Sequence, residues 1–476
     1  MREGDCGIYG FHQSDKEAGR GDRARGSEVN KDMTKLQKTD EWQVTRYIAG
    51  FALPLIAGSI LQQLYNAVDA MIVGRFLGEA SFAAVSVAAP VMSLLIFFIY
   101  GLGIGMNVLF AMKWGSGDRK AFRITTGTAL TAGCLFSLAL AAICILNARW
   151  ILRFCNCPEE ILADSLIYLR IVEAGLIFTF LYNFYSAVFL AVGDSRVPFF
   201  SLMVSAVINI GLDLLFVAYL RLGTGGAAAA TVIAQACSML FCTMFVFVKR
   251  PELKLRLSDL KIDHTEIREI LAYSGISAIQ QTVLYGGRLM VQGAVNTLSI
   301  GTIAGYGAAC RIESFVLAPM EGTASASSSY IARSLGEGRK DQVKAGYHAG
   351  LRICACITVI TGILIYVFAP RIIPLFLTNI SDDARNAGVT YLRYMAFFYQ
   401  TIIITQMLQA LFRGVGELKI TFINTVLQIF FRVAGSWLLV GRLGVAGIAW
   451  ATQAGWTAMA VYGCWEVHQY YKKHGL

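Results

Sequence analysis

Long apolar stretches, separated by short polar connections, recur from about residue 46 to residue 470. Each is long enough to cross a bilayer hydrocarbon core of about 30 Å, for which roughly 20 helical residues suffice. The pattern predicts twelve spans, near 46–73, 80–112, 121–147, 165–191, 197–220, 225–248, 268–297, 301–332, 343–369, 387–412, 420–440 and 446–470. Several exceed the crossing length, so tilt or extension past the bilayer is expected. Pro54, Pro90 and Pro319 fall inside spans 1, 2 and 8, where each removes a backbone hydrogen bond and can kink its helix. The alternating ten-residue strands of a membrane barrel are absent. The expected fold class is an all-α polytopic membrane protein.

One polar stripe interrupts this apolar background. In residues 61–78, Gln62, Tyr65, Asn66 and Asp69 stand at spacings of three, four and seven from Gln62, which puts them on one face of helix 1. A carboxylate at such a depth is costly in lipid and faces a cavity or a partner. Span 5 supplies Asn209 and Asp213, one turn apart on one face, and span 6 supplies Thr231. Two carboxylates, an amide and a hydroxyl suit a proton or a small hard cation such as sodium. Two carboxylates in a low dielectric also share a proton readily. The competing explanation is a hydrogen-bonded core network that only fixes helix packing.

The chain repeats itself. Gly115-Ser-Gly117 pairs with Gly336-Glu-Gly338, Tyr168-Leu-Arg170 with Tyr391-Leu-Arg393, Val192-Gly193-Asp194 with Val415-Gly416-Glu417, and Arg221-Leu-Gly223 with Arg442-Leu-Gly444, all at offsets between 221 and 223. Six spans per half is an even number, so both halves enter from the same side and the repeat is parallel. The expected organisation is a polar tail over 1–43, a first lobe over 44–250, a linker over 251–266, a second lobe over 267–471 and a short C-terminus over 472–476. The stretch before Met33 is polar and Gly-rich, and translation is expected to start at Met33.

Composition agrees with this picture. The chain is 56% hydrophobic and only 15% charged, against roughly 25% charged in soluble chains. The net charge of +10 does not signal nucleic acid. Most Lys and Arg lie in the tails and in the alternate loops on their side, an asymmetry that places both termini in the cytoplasm. The eleven cysteines lack metal or disulfide spacing, and Cys155 and Cys157 read as free thiols because a bond across one residue is strained. No Walker A, HExxH or GxSxG constellation appears, so neither an enzyme nor an ATP-driven pump is expected. The spans are rich in Phe, Tyr and Met, most of which read as packing or lipid-facing residues.

The second half is not a chemical copy of the first. Span 7 carries Gln281, Tyr285, Arg288 and Gln292 at spacings of four, three and four. An offset of 219 puts Arg288 opposite Asp69, and one of 223 puts Arg432 at the position of Asn209 and Ser436 at that of Asp213. Span 8 adds Arg311, Glu313 and Glu321. These groups either neutralise one another or leave an Arg to meet an anionic substrate group, so Gln281, Tyr285, Arg288 and Arg432 are candidate substrate contacts. Arg170 and Glu173 in span 4 read as a local ion pair.

The 62–78 stretch, the Asn209/Asp213 pair with Thr231 downstream, the Gly-rich loops after spans 2 and 8, and the six-plus-six repeat together resemble the multidrug and toxic compound extrusion (MATE) family over about residues 45–470. The resemblance implies a V-shaped pair of six-helix lobes. It also implies export of organic, often cationic and amphipathic, compounds against a proton or sodium gradient. Carried over position by position, it assigns ion coupling to Asp69, Asn209, Asp213 and Thr231. The branch of the family with a Glu in span 7 and an Asp in span 10 is not matched, which argues for one coupling site in the first lobe. The expectation is an antiporter of a bacterial plasma membrane, with bending near Pro54, no cofactor beyond the ion gradient, and action as a monomer. The alternatives are a flippase for lipid-linked anionic sugars and a non-transporting scaffold or sensor.

Overall fold

A computed structural model describes residues 41–376 and 381–474. Met33 and most of the polar tail, like the last two residues, lie outside the described residues. Every predicted span is helical, and most run a few residues past the expected ends. Helix α1 spans Glu41–Phe76, α2 Gly78–Gly115 and α3 Arg119–Phe154. Span 4 differs from the expectation. It starts earlier and is divided at Gly175 into α4 (Glu159–Ala174) and α5 (Leu176–Ala191). Span 5 is α6 (Arg196–Asp213) continued by a π-helical turn, Leu214–Tyr219, and span 6 is α7 (Gly223–Lys249).

Span 7 begins as α8 (His264–Ile270), passes through a second π-helical turn, Leu271–Gly275, and continues as α9 (Ile276–Val295). Spans 8 to 12 are α10 (Ile300–Gly336), α11 (Lys340–Ile372), α12 (Asp382–Gly414), α13 (Leu418–Leu443) and α14 (Val445–His474). Eight of these segments are individually long and apolar enough to cross a membrane. The other four are spans 4, 7, 8 and 12, which are divided or carry the most polar positions.

The repeat motifs are turn chemistry. Among the described residues, the glycines with positive φ are Gly117 and Gly338 (78° and 75°), Gly193 and Gly416 (87° and 84°), and Gly223 and Gly444 (63° and 57°). They form three pairs one repeat apart. Each lies at or near a helix end in the left-handed region that a Cβ disfavours, so the same residue is needed at both copies.

The halves are laced together by their first spans. Val44, Ile48 and Phe51 of α1 are buried with Tyr330, Ile331, Val343, Leu408 and Phe412 of the second half. Reciprocally, Ile270 and Tyr273 at the start of span 7 pack among Leu109, Phe110 and Phe122 of the first half. Close backbone approach makes both crossings possible. A Cβ on Gly101 of α2 would fall 2.5 Å from the Ala278 Cα, and one on Gly322 of α10 would fall 3.0 Å from the Ile56 nitrogen. Small residues at helix crossings permit this contact in a membrane, where dispersion and hydrogen bonds replace the hydrophobic drive.

Polar ties follow the same plan at the end of the bundle that carries the basic loops. Lys113 Nζ bridges Glu266 (3.1 Å) and Glu269 (3.0 Å), while the Thr125 hydroxyl donates to Glu266. On the other side Arg352 pairs with Glu41. The Asp263 carboxylate caps α8 by accepting the backbone N–H groups of Thr265 (2.9 Å) and Glu266 (3.1 Å). Those two bonds hold its carboxyl below the ordinary carboxylate range.

Candidate functional site

The first-half site forms where α1 meets α6. Asp69 is half-buried on α1, and Asp213, with no exposed surface, is the last α-helical residue of α6. Directly after Asp213 the helix widens into the π-turn. Such turns break the regular ladder and are frequent at functional sites. The two carboxyl groups face each other across the helix contact. Neither oxygen of Asp213 has a donor from any described residue. A close pair of carboxyl groups of this kind can share one proton. Asn209, one turn earlier and 2% exposed, also leaves both its amide nitrogen and its oxygen unpartnered. Val68, Ile72 and Val73 of α1, Ile210 of α6, and Ala227 and Ala228 of α7 belong to one apolar cluster on the same helices.

The other predicted residues divide. Tyr65 is half-buried and faces Gln62 and both carboxyl groups. Gln62 and Asn66 are exposed, so only half of the stripe points into the packed site. The Thr231 hydroxyl donates to the Ala227 carbonyl 3.1 Å away, on its own helix. Its proton is therefore used, and only its oxygen lone pairs remain for a ligand. Pro54 lies in the middle of an unbroken α1, beside the Ile56 crossing.

Tyr168 of α4 was not predicted as a site residue. It is 8% exposed and faces Asp69, Asp213 and Tyr65. The signal that could have found it is the repeat, because its counterpart Tyr391 holds the matching place in the second half. The Tyr391 hydroxyl donates to Glu313 Oε2 at 3.3 Å, with the Tyr306 ring edge-on at 5.0 Å. The Arg432 guanidinium faces Tyr306, Tyr391 and Glu313, and its Nε has no described partner.

The expected neutralising network is looser than a set of ion pairs. Arg288 is exposed and acts on Glu313 and Glu321 through space, and no ion pair joins Arg288, Arg311 or Arg432 to either Glu among the described residues. Gln281 is 7% exposed, and Tyr285 stacks on Phe97 of α2 at 5.2 Å, a contact between the halves. The polar knot of this half is instead Gln280. Its amide donates to Gln409 Oε1 (3.0 Å), the Thr421 carbonyl (3.2 Å) and the Thr425 hydroxyl (2.7 Å).

The Arg170–Glu173 pair does not form. Arg170 is exposed, whereas Glu173 is fully buried and both its oxygens lack a described donor. Cys155 and Cys157 are free thiols, as expected.

Known proteins resemble this chain in sequence and fold. A family model described as MatE matches residues 54–215 and again 277–438, one repeat of 223 residues apart. The probable multidrug resistance protein YoeA of Bacillus subtilis (strain 168) is 32% identical over 362 residues, 74% of this chain and 78% of that protein. YpnP of the same organism, also a probable multidrug resistance protein, is 27% identical over 85% of this chain and 90% of its own length. The solved outward-facing structure of a multidrug resistance MATE family transporter superposes with a TM-score of 0.84, at 23% identity, over 91% of this chain and 98% of that one. The fold is thus the twelve helices in two lobes of those transporters, and the chain belongs to the MatE family of multidrug and toxic compound extrusion transporters.

Proposed function

We propose that this chain is a secondary antiporter of a bacterial plasma membrane that exports organic, amphipathic and cationic compounds in exchange for protons. The asymmetry of the basic loops supports cytoplasmic termini. It acts as a monomer, is not an enzyme, and draws on no cofactor other than the ion gradient. The relatives' names as multidrug resistance proteins support the substrate class.

The contact between Asp69 and Asp213 carries the coupling half of the proposal. A shared proton holds the two helices together there. Its loss leaves two adjacent anions, which repel each other and attract an organic cation. Proton and substrate then favour different arrangements of α1 against α6, with Pro54 as the flexible point. That differential affinity is what couples their movements. Asn209 and Tyr168 complete the polar lining.

Sodium is the second reading for the coupling ion, favoured by the free lone pairs of Thr231 and the unpartnered Asn209 oxygen. A flippase for lipid-linked anionic sugars is the second reading for the substrate, favoured by Arg288 and the unpartnered Arg432 Nε.

Proteoliposomes loaded with a fluorescent cationic drug, or carrying a labelled lipid-linked anionic sugar, test all three. A proton gradient imposed without sodium drives flux in the wild type, and Asp69→Asn or Asp213→Asn reduces it to background. Flux driven by sodium alone selects the second ion. Loss in Arg288→Gln or Arg432→Gln with full activity in Asp69→Asn selects the flippase. Wild-type flux in both Asp variants ends the coupling proposal, and the absence of any gradient-driven flux selects a scaffold or sensor.

A further inference from the structure

A groove on the first half takes no part in the proposed exchange. At the end of the bundle with the basic loops it opens as a cavity of about 400 Å³ between α3, α5, α7 and the linker that joins the halves, with Phe122, Val188 and Val246 on the helices and Leu253, Lys254 and Arg256 on the linker. A second cavity of about 440 Å³ continues it, sharing Leu130, Tyr185 and Leu260 with the first and adding Cys134, Leu135 and Met239.

The order of depth is the same on all three helices. On α3 the lining runs from Phe122, near the basic end, to Leu135, and on α5 it runs from Val188 inward to Leu181. On α7 it runs from Phe247 inward to Met239. The two cavities therefore form one open groove along the helix axes. The α3 wall alone extends roughly 20 Å at 1.5 Å per residue, about the reach of one acyl chain.

Charge is confined to the mouth. Lys254 and Arg256 are exposed there and form no ion pair with a described residue. Their neighbour Arg250 is, by contrast, engaged by Asp194 and Glu252, both at 3.2 Å. Lys254 Nζ sits 4.9 Å over the Phe247 ring, at the rim of the groove. The linker above is fixed in place on the other side. Thr128 Oγ1 donates to the Lys261 carbonyl at 3.0 Å and accepts the Asp263 N–H at 3.2 Å.

We infer that this groove is a binding site for an anionic phospholipid of the adjacent leaflet. The phosphate lies between Lys254 and Arg256, and one acyl chain runs down past Leu130, Cys134 and Met239. A bound lipid ties the inter-lobe linker to the first half and so couples the local membrane composition to the joint between the halves. The inference does not depend on which ion or compound is transported.

The test is native mass spectrometry of the full chain released from nanodiscs containing equal amounts of phosphatidylglycerol and phosphatidylcholine. The wild type retains phosphatidylglycerol over phosphatidylcholine by about 25-fold, since each of the two basic groups beside an anionic headgroup contributes about a factor of five. Lys254→Gln/Arg256→Gln brings that ratio close to one, and Cys134→Trp, which fills the groove, removes both lipids. Excess glycerol phosphate leaves the retained lipid in place, because the acyl chain is part of the site. Equal retention of the two lipids by the wild type, an unchanged ratio in the double variant, unchanged retention in Cys134→Trp or displacement by glycerol phosphate would each overturn the assignment.

Discussion

Gly115 and Gly336, one repeat apart, each face the main chain of the other half. A Cβ on Gly115 would strike the Arg333 carbonyl, and a Cβ on Gly336 would strike the Met112 carbonyl. Arg333 lies three residues before Gly336 and Met112 three before Gly115, so the two contacts are images of each other across the pseudo-two-fold axis. Asn107 and Ser329, further into the bundle, join the same helices by a hydrogen bond of 2.6 Å. The halves are therefore shut against each other at the end that carries the basic loops.

Neither contact tolerates a side chain, because the obstacle is helix backbone rather than a movable tip. Gly115→Val and Gly336→Val are each expected to weaken the closed end by roughly 1–3 kcal/mol, the usual cost of overpacking. Hydrogen exchange checks this. Deuterium uptake should rise several-fold in peptides covering both helix ends, 107–116 and 329–339, in either variant, and gradient-driven flux should fall. Uptake equal to wild type in both variants would mean the interface is not tightly closed there.

The symmetry behind this contact was readable in the sequence for a physical reason. Gly117 and Gly338 recur because their backbone needs positive φ, and a conformational requirement leaves the same letter twice. The Asp69, Asn209 and Asp213 set was readable from helical periodicity, since a costly polar stripe in an apolar helix has few explanations.

What failed was side-chain choice at the boundary of burial. Arg170 and Glu173 are three residues apart, which is about 60° short of a full turn. The edge between exposed and buried faces falls between them. Thr231 is a separate case: its donor bonds to its own backbone, as Thr commonly does in helices, and its oxygen stays available as the ligand the sequence suggested. Tyr168 was visible only as a repeat marker, because a phenol in an aromatic-rich membrane chain carries no signal of its own.

Thr231 and Asn209 separate the two candidate ions. With the Thr231 proton committed to Ala227, its only remaining contribution is an oxygen ligand, which a metal cation needs and a shared proton does not. Under proton coupling, Thr231→Val retains proton-driven flux within about threefold, a loss below the roughly 1 kcal/mol of one net hydrogen bond. Asn209→Ala, which removes the only amide one turn from Asp213, is expected to lower apparent ion affinity about tenfold, a loss of one polar contact at about 1.4 kcal/mol. Flux measured against external pH in proteoliposomes reads both. Complete loss in Thr231→Val together with a sodium requirement would refute proton coupling.

Gln280 holds α9, α12 and α13 together through one amide with three acceptors. Gln280→Leu leaves Gln409 Oε1 and the Thr421 carbonyl without that donor in a fully packed interior, at a cost of about 1–3 kcal/mol. Gln281→Leu, next to it but outside this knot, is expected to cost less. Thermal unfolding in detergent should therefore show the larger fall in midpoint for the Gln280 variant. Equal shifts would show that the knot adds nothing specific to second-half packing.

Glu173 gives the opposite sign. Its carboxyl group has no exposed surface and no described donor, the arrangement in which a buried charge or an unpaired polar group works against the folded state. The proposed exchange does not use it. Glu173→Met, close in volume, should accordingly raise stability by about 1–3 kcal/mol and lift the thermal midpoint while leaving gradient-driven flux intact. Glu173→Gln keeps the polarity and removes only the ionisable proton, so it separates two causes. If flux collapses in both variants while both remain folded, Glu173 carries protons for the exchange, and the coupling site extends from α1 and α6 into α4.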